Sequence, residues 1–283
     1  MIPLLLKHEA LIRLGVFATV FVAMALWEAI APRRPQRHAR RLRWPGNLGV
    51  AVLDSLLVRV LVPTTAVAIA AFAAQRGWGL WPAVQAPAWL TFAGSLVLLD
   101  LAIYAQHVMF HAVPLLWRVH RMHHADLELD VTSGARFHPV EILLSLGIKM
   151  IVVIALGAPP AAVLVFEVLL NASSMFNHGN VNLPARVDRA LRRLLVTPDM
   201  HRIHHSWRAS ETNSNFGFNL ACWDRLFGTY RAQPRDGQLG LTLGLHVFRD
   251  VSELRLDRML QQPFRSGSLP VKRDGVGQMP EGD

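Results

Sequence analysis

Cysteine and lysine are scarce in this sequence. Cys222 is the only cysteine among 283 residues, which excludes an internal disulfide and a zinc site built on a Cys-x-x-Cys pair. Lysine occurs three times, so the net charge of +9 comes almost entirely from arginine. There is no repeat of solenoid length. The first apolar run is followed by arginines rather than small residues, so we expect no cleavable signal peptide.

The positive charge is concentrated between two apolar stretches. Six arginines crowd one short segment, namely Arg33, Arg34, Arg37, Arg40, Arg41 and Arg43. Such a segment could contact nucleic acid, but its position beside long apolar stretches is typical of a cytoplasmic loop that flanks membrane spans. Since 52% of the residues are hydrophobic, we expect membrane lipids rather than nucleic acid as its partners.

Four apolar stretches are candidates for membrane helices. They are residues 11–30, 48–74, 89–106 and 142–172, and GAPP at 157–160 divides the last into a hairpin of two shorter helices. Placing the arginine-rich loop in the cytoplasm brings the ends of the later stretches to the cytoplasmic side. The sequence therefore predicts an all-α integral membrane helical bundle with a cytosolic, histidine-rich cap. The lysine-poor composition points to a bacterial inner membrane.

Clustered histidines are the most informative feature of the chain. His107 and His111 lie four residues apart, and two HxxHH motifs follow, formed by His120, His123, His124, His201, His204 and His205. On a helix, residues three and four apart share a face, so the imidazoles of each motif can converge on one point. Eight imidazoles on three helical segments are too many for one metal ion and suit two.

Two further histidines are placed to complete a di-metal site. His138 precedes Pro139 and is expected to cap a helix start, and His178 follows the apolar hairpin. Four nearby carboxylates could orient ring N–H groups: Asp126, Asp130, Glu141 and Asp199. No box contains a Glu-x-x-His pair, so the predicted ligand set is dominated by nitrogen, which suits iron, zinc, copper or nickel. His246 lies outside any cluster, and we interpret it as structural.

The order and spacing of these boxes resemble the fatty acid hydroxylase/sterol desaturase superfamily. Supporting segments are LWRVHRMHHAD at 116–126, RFHPVE at 136–141 and NFGFNLACWDRLFGTY at 215–230. The resemblance implies an integral membrane enzyme with a non-haem di-iron centre, which uses O₂ and electrons from a reduced carrier to hydroxylate or desaturate lipid C–H bonds. It also implies that the eight box histidines are metal ligands, and that His138 and His178 match positions where members carry further histidines.

The resemblance further suggests the cofactor, partners and regions of the chain. We expect two iron ions, an apolar lipid substrate and, since no fused HPGG segment occurs, a separate electron-transfer protein such as a ferredoxin, a cytochrome b5-like protein or a reductase. Residues 1–88 would form the N-terminal membrane segments and basic loop, 89–232 the histidine-box region, and 233–283 a polar segment that is disordered after about Pro263.

Other functions fit the same histidines less well. A zinc-dependent membrane lipid hydrolase would use metal-bound water instead of O₂. A metal transporter would place its ligands near the middle of apolar segments, whereas these lie at segment ends. A haem carrier needs only one or two separated pairs of histidines. Between hydroxylation and desaturation the ligands do not discriminate, although hydroxylation is slightly favoured.

Overall fold

The computed structural model describes residues 8–266, and its regular structure is helical. The first eight helices are α1 (Glu9–Ile30), α2 (Arg40–Leu61), α3 (Ala66–Arg76), α4 (Leu80–Ala83), α5 (Ala88–Ala112), α6 (Pro114–His124), α7 (Pro139–Leu156) and α8 (Pro160–Asn177). Shorter helices follow: α9 (Ala185–Leu191), α10 (Pro198–His204), α11 (Ala209–Thr212), α12 (Cys222–Leu226), α13 (Gly237–Gly240) and α14 (Leu256–Gln261). Three 3₁₀ turns cover Ser133–Ala135, Val251–Leu254 and Gln262–Phe264. No strand forms between residues 8 and 266, which confirms the predicted all-α fold.

Five helical stretches are long and apolar enough to cross a membrane. They are Glu9–Ile30, Arg40–Ala83, Ala88–Ala112, Pro139–Leu156 and Pro160–Asn177. Many outward side chains on them are large and apolar, and Leu14, Leu56 and Ile151 are each more than half exposed. An apolar outer surface is what a lipid environment requires. The arrangement fits a multi-pass membrane protein, and there are five stretches because the predicted stretch at 142–172 forms two helices, as its GAPP segment indicates.

The second stretch is not a single helix. Helix α2 ends at Leu61, and Pro63 follows, which has no backbone N–H to continue the helical ladder. The chain restarts at Thr65, whose hydroxyl accepts a hydrogen bond from the Ala68 N–H at 3.1 Å and so caps α3. The apolar run at 48–74 therefore contains a break that hydrophobicity alone does not reveal.

The basic segment is more ordered than the sequence predicts. Helix α2 begins at Arg40 and contains Pro45, so the last arginines of the segment that the sequence predicts as a cytoplasmic loop are helical. Arg43, one turn into this helix, is fully buried and donates to Asp126 at 2.8 and 2.9 Å and to Asp130 at 2.6 Å. Such pairing offsets the cost of desolvating the guanidinium. It also fixes the start of α2 inside the cap, which explains why these residues are helical.

The hairpin predicted from GAPP is confirmed. Gly157 ends α7 with φ of 64°, a left-handed conformation that favours glycine, and α8 starts at Pro160. A side chain at Gly157 would collide with the Trp78 carbonyl oxygen, so this turn packs tightly on the turn that follows α3.

The bundle and the cap have different interiors. Helices α3, α5, α7 and α8 share a core of small, branched and aromatic residues, including Ala66, Ala70, Leu99, Val153, Val163 and Phe166. Between residues 120 and 136, in contrast, most buried side chains are polar or charged. The cap is therefore a polar interior enclosed by helix ends and short helices.

The end of the described chain folds back on the cap. Pro263 is buried in a 3₁₀ turn that packs against α6, and Arg118 donates to its carbonyl oxygen at 2.8 Å. The predicted disorder after about Pro263 therefore does not apply to residues 263–266. The rest of that prediction, for residues 267–283, lies outside the described residues.

Candidate metal centre

Nine of the ten predicted histidines come together in two buried groups. Group one contains His107, His111, His120, His124 and His204, and group two contains His123, His178, His201 and His205. Within each group the candidate ligand nitrogens all lie within 4.8 Å of one another, which is close enough to hold a metal ion. The most exposed of the nine, His107, is only 7% exposed.

Four helices and their ends bring these rings together. Helix α5 carries His107 and His111 one turn apart. Helix α6 starts with Pro114 at its first position, where a missing N–H costs nothing, and presents the first HxxHH motif. Thr197 caps α10 by accepting from the Met200 N–H, and this helix presents the second motif. His178 is the capping residue directly after the end of α8.

The spacing between the rings is that of nitrogens around a shared cation. In group one, Nε2 of His124 lies 3.1 Å from Nε2 of His111 and 3.2 Å from that of His120. In group two, Nε2 of His178 lies 3.1 to 3.2 Å from the Nε2 atoms of three other histidines. Two nitrogens bound at about 2.1 Å to one ion, at an angle of about 100°, would be about 3.2 Å apart.

Hydrogen bonds on the outer side of the rings decide which nitrogen faces inward. Nδ1 contacts a backbone carbonyl oxygen in His107 (Phe216, 2.8 Å), His123 (Arg136, 3.0 Å), His178 (Ser174, 2.7 Å) and His204 (Ser214, 2.8 Å). A carbonyl oxygen only accepts, so Nδ1 must carry the proton and donate. In a neutral imidazole the inward Nε2 then holds a lone pair. The buried Nε2 atoms of His107 and His204 have no hydrogen-bond partner in the described chain.

Two side chains provide the same orientation for group one. Glu141 Oε1 lies 2.7 Å from Nδ1 of His120, as the sequence predicts for one of the carboxylates near the boxes. Asn213 Oδ1 lies 3.3 Å from Nδ1 of His111. The sequence does not indicate Asn213 or Ser214, and Phe216 stands out only as part of the segment 215–230, since a backbone carbonyl that orients a ring has no signature in the sequence.

The remaining carboxylates serve arginines instead of histidines. Asp126 and Asp130 bind Arg43, and Asp199 accepts from Arg33 at 3.0 and 3.1 Å and also binds Arg202. The expectation that these three could orient ring N–H groups is therefore wrong. Their physical role is to neutralise buried guanidinium groups that tie the basic segment and α10 to the cap.

Burial keeps the imidazoles uncharged. Removal from water lowers the pKa of His204 to about 3 and that of His178 to about 4. The pKa values of His123, His124, His201 and His205 are lowered as well, first by burial and then by the neighbouring histidines. Neutral imidazole is the form that binds metal ions, so the donor set fits a cation.

His138 is not brought into either group. It caps α7 as predicted: its Nδ1 accepts from the Val140 N–H at 3.2 Å, and its Nε2 lies 3.3 Å from the Leu260 carbonyl oxygen. Both ring nitrogens are thus occupied, so we remove His138 from the ligand set. His246 is also outside the groups, exposed and stacked on Trp207 at a centroid distance of 4.6 Å.

A known protein family matches the part of the chain that contains the two histidine groups. The fatty acid hydroxylase family model matches residues 92–229, a range that contains all nine gathered histidines. Residues 92–229 belong to the fatty acid hydroxylase family. The family region starts within α5 and ends just after α12, so it includes every helix that contributes a ring to the two groups.

Several curated relatives share this region. Ornithine lipid hydroxylase OlsE of Rhizobium tropici is 31% identical over 201 residues, which cover 71% of this chain and 57% of the relative. Cholesterol 25-hydroxylase of Homo sapiens is 31% identical over 140 residues (48% and 49%), and alkylglycerol monooxygenase of Homo sapiens is 24% identical over 168 residues (57% and 35%). The chain thus spans between about a third and somewhat over half of these relatives. No solved structure matches it.

Proposed function

We propose that this protein is an O₂-dependent, non-haem di-iron oxygenase that oxidises a C–H bond of a membrane lipid, with hydroxylation favoured over desaturation. The observation that carries the proposal is the convergence of nine buried imidazoles in two groups, with most rings held by outer hydrogen bonds. The three relatives described above are named as hydroxylases or as a monooxygenase, and this supports oxidation of a lipid as the class of reaction.

The proposed ligands are the members of groups one and two, with one iron ion in each group. Imidazole nitrogen suits iron, and neither group contains a thiolate or a carboxylate. Two iron ions, when bound, would supply the activation of O₂ that oxidation of an unactivated C–H bond requires.

The chain itself orients the ligands and excludes water from them. Glu141 and the carbonyl oxygens of residues 214 and 216 fix the rings before any ion binds, so little reorganisation is needed. Apolar rings cover the outer side of the histidine groups. Phe137 stacks on His123 at a centroid distance of 4.4 Å, and the Trp117 ring lies 4.8 Å from that of His111. A dry, apolar wall protects a reactive centre from side reactions.

We propose a lipid substrate because a single helix, α5, is both a candidate membrane span and a source of proposed metal ligands. Helix α5 has the length and apolar composition of a membrane span and carries His107 and His111 near its end. We therefore propose that the lipid reaches group one along α5, directly from the bilayer. We propose that this end of α5 faces the cytoplasm of a bacterial inner membrane, where a separate carrier such as a ferredoxin, a cytochrome b5-like protein or a reductase supplies electrons.

The decisive experiment combines metal analysis with product analysis. Protein from cells grown on iron-57 should contain two magnetically coupled irons per chain by Mössbauer spectroscopy. Cells that express it under oxygen-18 gas should contain a lipid with one heavy oxygen atom, and a His204→Ala variant should produce none. A new double bond without heavy oxygen would identify a desaturase. Zinc retained in iron-rich medium would favour a lipid hydrolase, and haem or no stoichiometric metal would refute the di-iron proposal.

A further inference from the structure

A surface of the cap combines exposed apolar side chains with arginines. It is formed by α9, the turn at 192–195, and α12 with Phe227. Its large exposed apolar residues are Val187, Leu194, Leu195, Leu226 and Phe227, which are between 39% and 69% exposed. Besides Arg225, which donates to the Arg192 carbonyl oxygen, three exposed arginines lie on the same segments: Arg186, Arg189 and Arg193. We call these eight residues the amphipathic face.

Backbone hydrogen bonds make the amphipathic face one unit. The Ala221 N–H donates to the Leu194 carbonyl oxygen at 2.8 Å, and the Val196 N–H donates to that of Asn219 at 3.0 Å. Arg225 also donates to the Arg192 carbonyl oxygen at 2.5 Å. The apolar residues of α12 and of the 192–195 turn are therefore held side by side and do not depend on a mobile loop.

This unit is fastened to the side of a membrane helix. Asp100, midway along α5, accepts from Asn219 Nδ2 at 2.7 Å, Trp223 Nε1 at 2.8 Å and the Leu220 N–H at 3.1 Å. One turn further along α5, the Tyr104 ring stacks on Phe227 at 5.3 Å. The amphipathic face is thus continuous with the apolar surface of α5, which by length and composition can cross a bilayer.

We propose that the amphipathic face lies in the headgroup layer of the leaflet nearest the metal groups, with its apolar side chains in the acyl boundary and its arginines at anionic phosphates. The partner is therefore a bilayer containing anionic lipid. Apolar residues with arginine beside them are the composition of interfacial helices, and arginines near an anionic leaflet are attracted to it. This assignment does not depend on the metal chemistry.

The same contacts link the amphipathic face to group one. Tyr104 contacts Phe216 at a centroid distance of 6.4 Å, and Phe216 contacts His107 at 5.6 Å. A series of aromatic contacts thus connects Phe227 to a proposed ligand. A lipid next to the amphipathic face would be positioned close to the site.

Spin labels at single cysteines can test the location. In a Cys222→Ser background, labels at Leu226→Cys and at Leu239→Cys compare two leucines of similar exposure, 69% and 65%, on different faces. A label at Val97→Cys on α5 reports the bilayer. In phosphatidylglycerol-containing vesicles, we expect the Leu226 label to be more accessible to O₂ than to a water-soluble nickel chelate, like the Val97 label. The Leu239 label should show the reverse preference.

Two accessibility results for the Leu226 label would contradict this location. A Leu226 label that prefers the nickel chelate would place the amphipathic face in water, and one protected from both reagents would indicate contact with a second copy of the chain. Either result overturns the proposal.

The contribution of the arginine charges is tested by a double variant, Arg189→Glu with Arg193→Glu. In anionic vesicles it should raise the accessibility of the Leu226 label to the nickel chelate about twofold or more, and in phosphatidylcholine vesicles it should not. The matched pair Arg235→Glu with Arg258→Glu should have no effect, and an equal effect would refute the role of these arginines.

Discussion

Glu141 Oε1 lies 2.7 Å from Nδ1 of His120 and joins the first turn of α7 to α6. Both side chains are buried, so the hydrogen bond is shielded from competing water. It fixes the direction of the His120 ring and makes Nε2 a better donor to a cation. Glu141 therefore orients a proposed ligand without being one itself.

Replacing this carboxylate should weaken metal binding without abolishing it. We expect Glu141→Ala to lower iron affinity by about 10- to 100-fold, the usual consequence of losing such a partner. A titration against a competing chelator measures the change. Glu253→Ala is a suitable control because Glu253 is also buried but binds Arg265, away from both groups. Equal affinities for the Glu141 variant and the unaltered protein would contradict the orienting role.

Replacing His178 and replacing His138 should have different effects on the iron content. Both residues lie at the end of an apolar helix: His178 follows α8, and His138 precedes α7. We expect His178→Ala to reduce the iron content to about one ion per chain, because group two loses one of its four nitrogens. His138→Ala should retain both ions, since its nitrogens bind Val140 and Leu260. Elemental analysis of the purified variants decides the matter. Loss of an ion from the His138 variant would restore that residue to the ligand set.

Arg43 should be essential for the stability of the cap. Arg43→Ala leaves Asp126 and Asp130 buried without their guanidinium, and breaking a buried pair in this way costs about 3–5 kcal/mol. The exposed Arg255–Asp257 pair gives the comparison, because solvent screens it and Arg255→Ala should leave the free energy of unfolding nearly unchanged. Denaturant unfolding in detergent measures both changes. Similar losses for the two variants would show that burial of the Arg43 pair adds nothing.

Removing metal should also destabilise the protein. Metal that binds only the folded state adds about 4 kcal/mol of apparent stability when free iron exceeds its dissociation constant 1,000-fold. A chelator should therefore lower the unfolding midpoint, and iron should restore it. The His204→Ala variant should show a much smaller response, because group one is incomplete. A midpoint that does not move with iron would argue against metal binding in the folded state.

The sequence predicted which histidines come together better than it predicted their surroundings. Box histidines are recognisable because helical spacing alone brings their rings to one face. Whether His138 or His178 joins them depends on how distant helices pack, and this information is not local. The same is true of the carboxylates, since Asp126 lies nearer to the boxes in sequence than Glu141 does, yet binds Arg43. Pro63 marks the break between α2 and α3, but the continuous hydrophobicity of residues 48–74 predicts one uninterrupted stretch.

The attachment of Asp100 to residues 219–223 has a consequence for biogenesis. Asp100 and its partner Asn219 are 119 residues apart, so at about 5–20 residues per second the partner is synthesised about 6–24 s later. During that interval α5 would hold an unpaired carboxyl within its apolar length, at a cost of at most about 2.5–3.5 kcal/mol, the value for the bilayer centre. The apolar remainder of α5 must cover this cost during insertion. Docking of the cap then relieves it, so completion of the cap and secure membrane placement of α5 become a single event.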